Sequence, residues 1–318
     1  MAKGGILGLH HVTATVDAAQ PDLDFFASAL GLRLVKQTVN FDNHHVYHFY
    51  YGDERGTPGT IWTTFPYHGH GVRVGAKGAG QITVTSFSVP AVSLPFWRRR
   101  LRAVGIDVRD EPGYFGESSV LVDDPSGLAI ALVASSTDTR EGWTRGGVEA
   151  ESAIRGLHSV TLAISSPKET IEFMTRAMGF GVVGEDARTT RLAVNGRAPG
   201  RFVDILHAPD APRAVNGLGT VHHVAFAVET ADDQLAFQRD LRAVGRQVTP
   251  VMDRQYFTSI YFREPGGVLF EIATMGPGFM VDEPIDQLGR SLKLPPWEEP
   301  NRAIIRPGLA TITLPQTS

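Results

Sequence analysis

Apolar residues recur at helical spacing in four short segments, and each segment ends at a glycine. The four apolar stripes are Leu23, Phe26, Ala27 and Leu30; Leu94, Trp97, Leu101 and Val104; Ile171, Met174 and Met178; and Phe237, Leu241 and Val244. The glycines that follow are Gly31, Gly105, Gly179 and Gly245, which lie 74, 74 and 66 residues apart. Residues three or four positions apart share a helical face, and glycine tolerates the left-handed conformation that closes a helix. The pattern therefore predicts four amphipathic helices in a repeating unit.

Strands are predicted before and after each helix. The preceding strands cover residues 9–16, 82–89, 157–164 and 221–228. The following strands cover 32–38, 47–51 and 60–65 in the first unit, and 247–251, 257–262 and 268–273 in the fourth. Ser166, Pro167 and Glu169 predict a capping box at the start of the third helix, and the fourth helix is expected to start near Thr230. Each unit is therefore predicted as β-α-β-β-β.

These units predict an α+β fold. A strongly curved βαβββ sheet cannot close by itself, so we expect the four modules to pair into cupped half-barrel sheets around a cavity. The first and third units begin almost alike, at residues 8–13 and 156–161. We therefore expect two tandem halves, residues 1–140 and 153–276, each with two modules. A proline-rich tail, residues 277–318, is expected to be irregular.

The composition of the 318-residue chain is that of a globular protein, with 42% hydrophobic and 20% charged residues. A net charge of −4 and scattered basic residues do not indicate a positively charged surface for binding nucleic acid. No stretch approaches the ~20 apolar residues of a membrane span, and residues 1–5 show no apolar signal-peptide region. We therefore expect a cytoplasmic protein without nucleic-acid or membrane partners. Because the chain has no cysteine, histidine and carboxylate side chains must hold any metal.

Two of the predicted first strands begin with a histidine pair, His10-His11 in the first unit and His222-His223 in the fourth. Alternate residues of a strand point to opposite faces. His10 shares its face with apolar residues that suit the helix-covered side, so His11 and His223 are predicted to face the cavity. By the same alternation, we expect His222 to face away from it.

One carboxylate lies inside an apolar strand. Glu271 is the only charge in the run 268–273, and a buried carboxylate is costly unless it is paired or bound to a metal. Alignment of the turns places Thr64 and Ala131 at the equivalent positions of the first two units, whereas Asp204 in the third stays unaligned. A salt bridge from Glu271 to an arginine such as Arg254 is the alternative.

His11, His223 and Glu271 together form a two-histidine, one-carboxylate set. Such a set leaves coordination positions open and suits the Fe(II) of non-haem oxygenases, with Mn(II) as the next choice. The sequence therefore predicts one metal site shared by the first and fourth units.

The remaining histidines are expected to be structural. A competing cluster of His44, His45 and His48 lies in a segment predicted as a loop entering a strand, where this spacing does not converge on one ion. An active-site role for His48 is the minor alternative. We expect exposed positions for His68 and His70, and His158 is interpreted as a remnant of the duplicated strand.

Several motifs resemble those of the vicinal oxygen chelate superfamily, which includes glyoxalases, bleomycin resistance proteins and extradiol dioxygenases. They are GLHHVT at 8–13, GTPGT at 56–60, VHHVAF at 221–226 and REPGGVLFE at 263–271. The chain is similar in particular to ring-cleaving dioxygenases that act on hydroquinones, over nearly its whole length. The resemblance implies the same metal ligands, His11, His223 and Glu271. It also implies supporting catalytic roles for Thr13, His222, Arg254 and Tyr261.

The resemblance implies an Fe(II)-dependent dioxygenase that takes a hydroquinone-like or catechol aromatic diol and O2. Tyr261 or His222 is the acid/base candidate, and Arg254 would hold an anionic oxygen. Two alternatives stay open: a glyoxalase-type metal-dependent isomerase or thiol-transfer resistance enzyme, and a non-catalytic aromatic-binding protein. The isomerase would need a further carboxylate or glutamine, and the first unit supplies none near Thr64. We also expect a homo-oligomer.

Overall fold

A computed structural model describes residues 4–315, so the expectations for residues 1–3 and 316–318 lie outside the described range. Module 1 comprises β1 (Gly8–Val16), α1 (Ala19–Leu23), a π-helical turn (Asp24–Ala29), β2 (Arg33–Asn40), β3 (Asn43–Gly52) and β4 (Ile61–Pro66). Module 2 comprises β5 (Gln81–Pro90), α2 (Leu94–Ala103), β6 (Arg109–Pro112), a 3-10 turn (Tyr114–Gly116), β7 (Ser118–Asp123) and β8 (Ala129–Ser135). The structure confirms this βαβββ order for both modules.

The second half of the chain repeats the same order. Module 3 comprises β9 (Gly156–Ile164), α3 (Pro167–Met178), β10 (Gly181–Asp186), β11 (Thr189–Ala193) and β12 (Phe202–His207). Module 4 comprises β13 (Thr220–Val228), α4 (Ala231–Ala243), β14 (Met252–Asp253), β15 (Thr258–Arg263) and β16 (Leu269–Thr274). None of the helices among residues 4–315 has the length and apolar character that crossing a membrane requires.

Each of the two eight-stranded sheets combines one module from the first half of the chain with one module from the second half. The first sheet has the strand order β14-β15-β16-β13-β1-β4-β3-β2 and contains modules 4 and 1. The second has the order β10-β11-β12-β9-β5-β8-β7-β6 and contains modules 3 and 2. At the sheet centres, β1 pairs antiparallel with β13, and β5 with β9. The predicted pairing of units into curved half-barrel sheets is confirmed.

The helices end where the glycine spacing predicts. The values of φ are 70°, 80°, 78° and 79° at Gly31, Gly105, Gly179 and Gly245. A residue with a Cβ is strained in this left-handed region, which explains the recurring glycine. The predicted apolar stripes are largely buried, but Val104 and Val244 are 60% and 55% exposed. Both valines follow the last residue of their helix, so they leave the helical face that packs on the sheet.

Two predicted details are wrong. The Ser166 side chain makes no capping hydrogen bond at the start of α3, whereas a capping box joins Thr230 and Asp233 at the start of α4. The strand predicted at 247–251 is absent, and only the two-residue β14 follows it. Pro250 lies in that segment and has no amide proton for a strand ladder.

β-Bulges interrupt the central strand pairs at matching places. Between β1 and β13, the register skips His10 on one strand and His222 on the other. Between β5 and β9, it skips Thr83 and His158 in the same way. An extra residue breaks the strict alternation of side chains and re-aims the side chain at the bulge. The first strands of all four modules thus carry a bulge at equivalent positions.

A C-terminal tail packs along the edge of the first sheet. Although it was predicted to be irregular, it contains 3-10 turns (Phe279–Val281, Ile285–Gln287 and Glu299–Asn301) and a short helix α5 (Arg302–Gly308). The buried Lys36 ammonium of β2 pairs with the carboxylates of Asp282, at 2.5 Å, and Glu283. The tail therefore covers an edge strand that would otherwise offer unpaired backbone groups.

A buried ion-pair network joins modules 2 and 3 within the second sheet. The Arg191 guanidinium donates to both oxygens of Asp204, at 2.7 and 2.9 Å, and to both oxygens of Glu117, at 2.7 and 3.0 Å. His158 Nε2 lies 3.2 Å from Glu117 Oε1. Since Asp204 is fully buried, the guanidinium supplies the charge that keeps its carboxylate stable away from water.

Arg191→Met should lower the free energy of unfolding by about 3–5 kcal/mol, because it leaves the Asp204 carboxylate buried without a partner. Arg188→Met, at an exposed arginine near the same strand, is the control and should change stability by no more than about 0.5 kcal/mol. Denaturant titration measures both values. Equal stabilities of the two variants would refute a stabilising role for the network.

Asp22 of α1 is a buried carboxylic acid. Its Oδ2 accepts hydrogen bonds from the Tyr51 hydroxyl at 2.7 Å and Thr64 Oγ1 at 2.6 Å, while Oδ1 has no partner among residues 4–315. Burial raises the pKa of Asp22 from 3.8 to about 7, although the bonds from Thr64 and Tyr51 oppose the rise. Because the folded-state pKa lies above the unfolded one, the stability that Asp22 contributes is complete below pH 3.8 and is lost as the pH rises through about 7.

Asp22→Asn should therefore remove part of the pH dependence of stability. Between about pH 5 and 7, the free energy of unfolding of the wild type should fall relative to the variant by roughly 1.4 kcal/mol per pH unit. Denaturant unfolding across this range measures the difference. Asp24→Asn, at an exposed site in the following turn, is the control and should behave like the wild type. Parallel curves for wild type and Asp22→Asn would contradict the raised pKa.

Candidate metal centre

Three side chains from opposite ends of the chain converge in the first sheet. His11 lies on β1, His223 on β13 and Glu271 on β16. His11 Nε2 is 3.2 Å from His223 Nε2 and 3.4 Å from Glu271 Oε2, and His223 Nε2 is 2.9 Å from Glu271 Oε2. All three residues are buried. Within residues 4–315, this is the one group of three histidine or acidic side chains whose ligand atoms lie close enough to share an ion.

The two hydrogen bonds of the His10 ring set the tautomer of His11. His10 Nε2 lies 3.2 Å from the Thr274 carbonyl oxygen, which can only accept, so this nitrogen carries the His10 proton. Burial and the adjacent His11 lower the pKa of His10 to about 3, so the ring is neutral and its Nδ1 is an acceptor. His11 Nδ1, at 2.8 Å, must then donate to it. The Nε2 atom of a neutral His11 is left with a free lone pair, as a metal ligand requires.

The second histidine pair has the same geometry. His222 Nδ1 and His223 Nδ1 are 2.7 Å apart. Burial and the adjacent His223 lower the pKa of His222 to about 3. Each candidate ligand is therefore held by the histidine before it in sequence. Because both preceding histidines are bulge residues, the bulges position the rings of His11 and His223.

Glu271 is fully buried, and among the described residues only one of its two carboxylate oxygens has a hydrogen-bond donor. Its Oε1 accepts a hydrogen bond from Ser259 Oγ, but Oε2 accepts none among the described residues. Burial alone would raise the pKa of Glu271, yet positive charge and hydrogen bonds from the His11 and His223 rings hold it well below its usual range. When both rings are neutral, an ionised oxygen and two imidazole lone pairs face one another away from water. A divalent cation fits this donor set, because it would satisfy all three at once.

His11 and His223 line a cavity of about 230 Å³. This volume is below the ~300–1,000 Å³ of typical sites for drug-sized ligands, so it suits a small molecule. The predicted residues Thr13, His222, Arg254 and Tyr261 all line it. Strict alternation predicts that His222 faces away from the cavity. This prediction is wrong because His222 is the extra residue of a bulge.

Arg254 brings positive charge to the cavity wall. Its Nε donates to the Tyr261 hydroxyl at 3.1 Å, and its Nη1 lies 3.2 Å from Asp42 Oδ2. The alternative of a salt bridge between Arg254 and Glu271 is therefore not what the structure contains, since Arg254 pairs with Asp42 of the β2–β3 turn. Burial, followed by the charge of Glu271, raises the pKa of Tyr261, so this hydroxyl keeps its proton.

His48 is a cavity residue that sequence reasoning treated as structural. Its segment was predicted as a loop entering a strand, but β3 already begins at Asn43 and includes all three clustered histidines. Within β3, Phe49 and Tyr51 are fully buried in the core, so alternation turns His48 and Tyr50 to the other face. This alternation was the available signal. His44 instead lies 3.1 Å from Glu298, and His68 and His70 are exposed as predicted.

Strand register shows which residue of each module corresponds to Glu271. In each module, the residue three positions after the bulge of the first strand pairs with one residue of the last strand. That partner is Glu271 in module 4, Thr63 in module 1, Ala131 in module 2 and Asp204 in module 3. The predicted equivalent Thr64 is thus wrong by one residue. Thr64 points away from the cavity and donates a hydrogen bond to Asp22, whereas Thr63 donates a hydrogen bond to Thr13. Asp204, the one other carboxylate of the set, binds Arg191.

Comparisons with known proteins agree with the fold and the motifs. The profile of the Glyoxalase/Bleomycin resistance protein/Dioxygenase superfamily matches residues 156–272. A Bacillus subtilis (strain 168) protein, provisionally named ring-cleaving dioxygenase MhqE, is 43% identical over 298 residues, which are 93% of this chain and 95% of that protein. Chlorohydroquinone/hydroquinone 1,2-dioxygenase of Sphingobium indicum is 36% identical over 300 residues, or 92% of each chain.

A solved structure extends this agreement to the backbone. The crystal structure of a Bacillus subtilis protein, provisionally described as a dioxygenase, is 42% identical and superposes with a TM-score of 0.92. The match covers 98% of this chain and 99% of that one. Identity at this level over nearly the full length confirms the resemblance seen in the motifs. The chain therefore belongs to the glyoxalase/bleomycin resistance/dioxygenase superfamily.

Proposed function

We propose that the protein is an Fe(II)-dependent dioxygenase that cleaves the ring of a hydroquinone-like or catechol aromatic diol. The convergence of His11, His223 and Glu271 beside a cavity sized for one small molecule carries the proposal. Two nitrogens and one carboxylate oxygen suit Fe(II), with Mn(II) next, and leave positions for other ligands. The names of the relatives support the reaction class.

The metal would supply Lewis acidity: when bound, it lowers the pKa of a coordinated ring hydroxyl and holds the ring beside dioxygen. The protein groups around it position the reactants. His10 and His222 orient the ligand rings through their Nδ1 contacts. Thr13 accepts from Thr63 and forms part of the cavity wall.

Three residues of module 4 would handle charge and protons. The Arg254 guanidinium offers positive charge to an anionic oxygen of the substrate. Because the Tyr261 oxygen accepts from Arg254 Nε, its own proton is free to bind an oxygen in the cavity. If His222 Nδ1 accepts from His223, His222 Nε2 carries a proton, and this makes it the second acid/base candidate.

The glyoxalase-type isomerase is the less favoured alternative. Such an enzyme would need a second carboxylate or glutamine, and the position that corresponds to Glu271 in module 1 holds Thr63. A threonine hydroxyl engaged with Thr13 offers no charge to a metal.

Oxygen uptake tests the proposed function directly. Protein prepared without oxygen and loaded with Fe(II) should consume oxygen when it receives a hydroquinone or a catechol, with loss of the aromatic absorption. An oxygen electrode and ultraviolet spectra measure the two events. Turnover that requires nickel or zinc and consumes no oxygen would favour the isomerase, and a protein that binds aromatics without a metal would favour a binding role.

Glu271→Ala tests the carboxylate ligand. We expect iron affinity to fall by more than the roughly 10–100-fold that loss of an outer partner costs, because a direct ligand is removed. The protein should stay folded, since the change removes an isolated buried charge. Iron content and thermal unfolding measure the two effects, with Glu172→Ala, on the exposed side of α3, as the control. Full iron occupancy in Glu271→Ala would show that Glu271 is not a ligand.

A further inference from the structure

His48 lies in the cavity wall without belonging to the metal-binding group. Its ring centroid is 4.0 Å from that of Tyr50 and 4.3 Å from that of Phe65. Two aromatic neighbours at these distances hold the imidazole in one orientation. The ligand atoms of His11, His223 and Glu271 lie within 4.8 Å of one another, and His48 is not among them. It therefore borders the space that a substrate ring would occupy next to the ion.

One edge of the His48 ring is already engaged. His48 Nε2 lies 2.9 Å from Thr63 Oγ1, and Thr63 Oγ1 donates its proton to Thr13 Oγ1, also at 2.9 Å. Because the Thr63 hydroxyl has only one proton, it accepts from His48, and Nε2 is the protonated nitrogen. His48 Nδ1 is then an acceptor. Among residues 4–315, the bond from Nε2 to Thr63 is the only hydrogen bond of this ring.

Two polar side chains at this part of the cavity, Asn40 and Asp42, are already engaged. Asn40 Nδ2 donates to the Tyr67 hydroxyl at 2.8 Å, and Asn40 Oδ1 accepts from the Asp42 amide at 2.9 Å. The Asp42 carboxylate pairs with Arg254. The partly buried His48 ring therefore keeps one acceptor that a hydroxyl in the cavity can use.

We propose that His48 Nδ1 accepts a hydrogen bond from the second hydroxyl of the aromatic diol, and so selects substrates with that hydroxyl para to the first. This rests on the proposed function, in which the first hydroxyl binds the metal. An ortho hydroxyl would reach the same ion, whereas a para hydroxyl lies across the ring from it. His48 lines the cavity but is not one of the three ligand residues, so its Nδ1 can meet a hydroxyl that the ion does not hold.

Equilibrium binding in the absence of oxygen tests this contact without turnover. The two probes are hydroquinone and 4-fluorophenol, which keeps one hydroxyl and replaces the other by a fluorine of similar size that cannot donate. The wild-type protein loaded with Fe(II) should bind hydroquinone about tenfold more tightly, which corresponds to about 1.4 kcal/mol and to one neutral hydrogen bond.

Two variants remove the acceptor in different ways. His48→Phe keeps the aromatic packing, and His48→Gln keeps an amide in reach of Thr63 but has no group at the Nδ1 position. In both, the ratio of the two dissociation constants should fall to about one, with iron content unchanged. His45→Phe, at an exposed histidine of the same strand, is the matched control and should keep the wild-type ratio.

The outcomes separate the two proposals. If the iron-loaded wild type binds neither probe and takes up no oxygen, the proposed function is wrong and the role of His48 falls with it. If the wild type binds both probes equally, or if either folded variant keeps the tenfold preference, only the His48 contact is wrong. Should His48→Phe fail to fold, His48→Gln and the wild-type ratio still decide.

Discussion

Antiparallel pairing of β1 with β13 is the constraint on which the metal centre depends. It joins residues 8–16 to residues 220–228 and brings His11 Nε2 within 3.2 Å of His223 Nε2, while the parallel pairing of β13 with β16 adds Glu271. A slip of one residue in either pairing would turn these side chains to the opposite face of the sheet. The bulges at His10 and His222 then aim the two imidazoles at a common point.

Two solutions to one electrostatic problem occur in the same chain. Each sheet buries a carboxylate at the same register position, Glu271 in the first and Asp204 in the second. In the second sheet, the Arg191 guanidinium supplies the positive charge from a strand of module 3. In the first sheet, His11 and His223 flank the carboxylate instead, and a bound cation would supply the positive charge when their rings are neutral. This difference explains why one half-barrel suits an ion and the other is closed by its own side chains.

Modules 1 and 4 divide the work at the first site. The strand register shows that Thr63 of module 1 is equivalent to Glu271 of module 4. It likewise makes His48 of module 1 equivalent to Ser259 of module 4. Ser259 supports the carboxylate, whereas His48 supports only a hydroxyl. Module 4 therefore supplies most of the groups that suit an ion. Module 1 contributes the ligand His11 and a cavity wall in which His48 Nδ1 is a free hydrogen-bond acceptor. This wall leaves space for a substrate beside the ion.

The repeat, the fold class and the three converging residues could be predicted from the sequence, because they depend on local periodicity and on the cost of burying charge. The glycines that end the helices and the lone Glu271 are signals of this kind. Alternation failed at His222, since a bulge depends on how two distant strands match. Alignment by the turns misplaced Thr64 by one residue, because Glu271 lies six residues after Pro265 but Thr63 only five after Pro58. The cavity position of His48, the closure of the second sheet by Arg191 and the pairing of Arg254 with Asp42 were decided only by tertiary structure. Each of these contacts joins segments whose distance in space is set by sheet register, which a single strand's pattern does not contain.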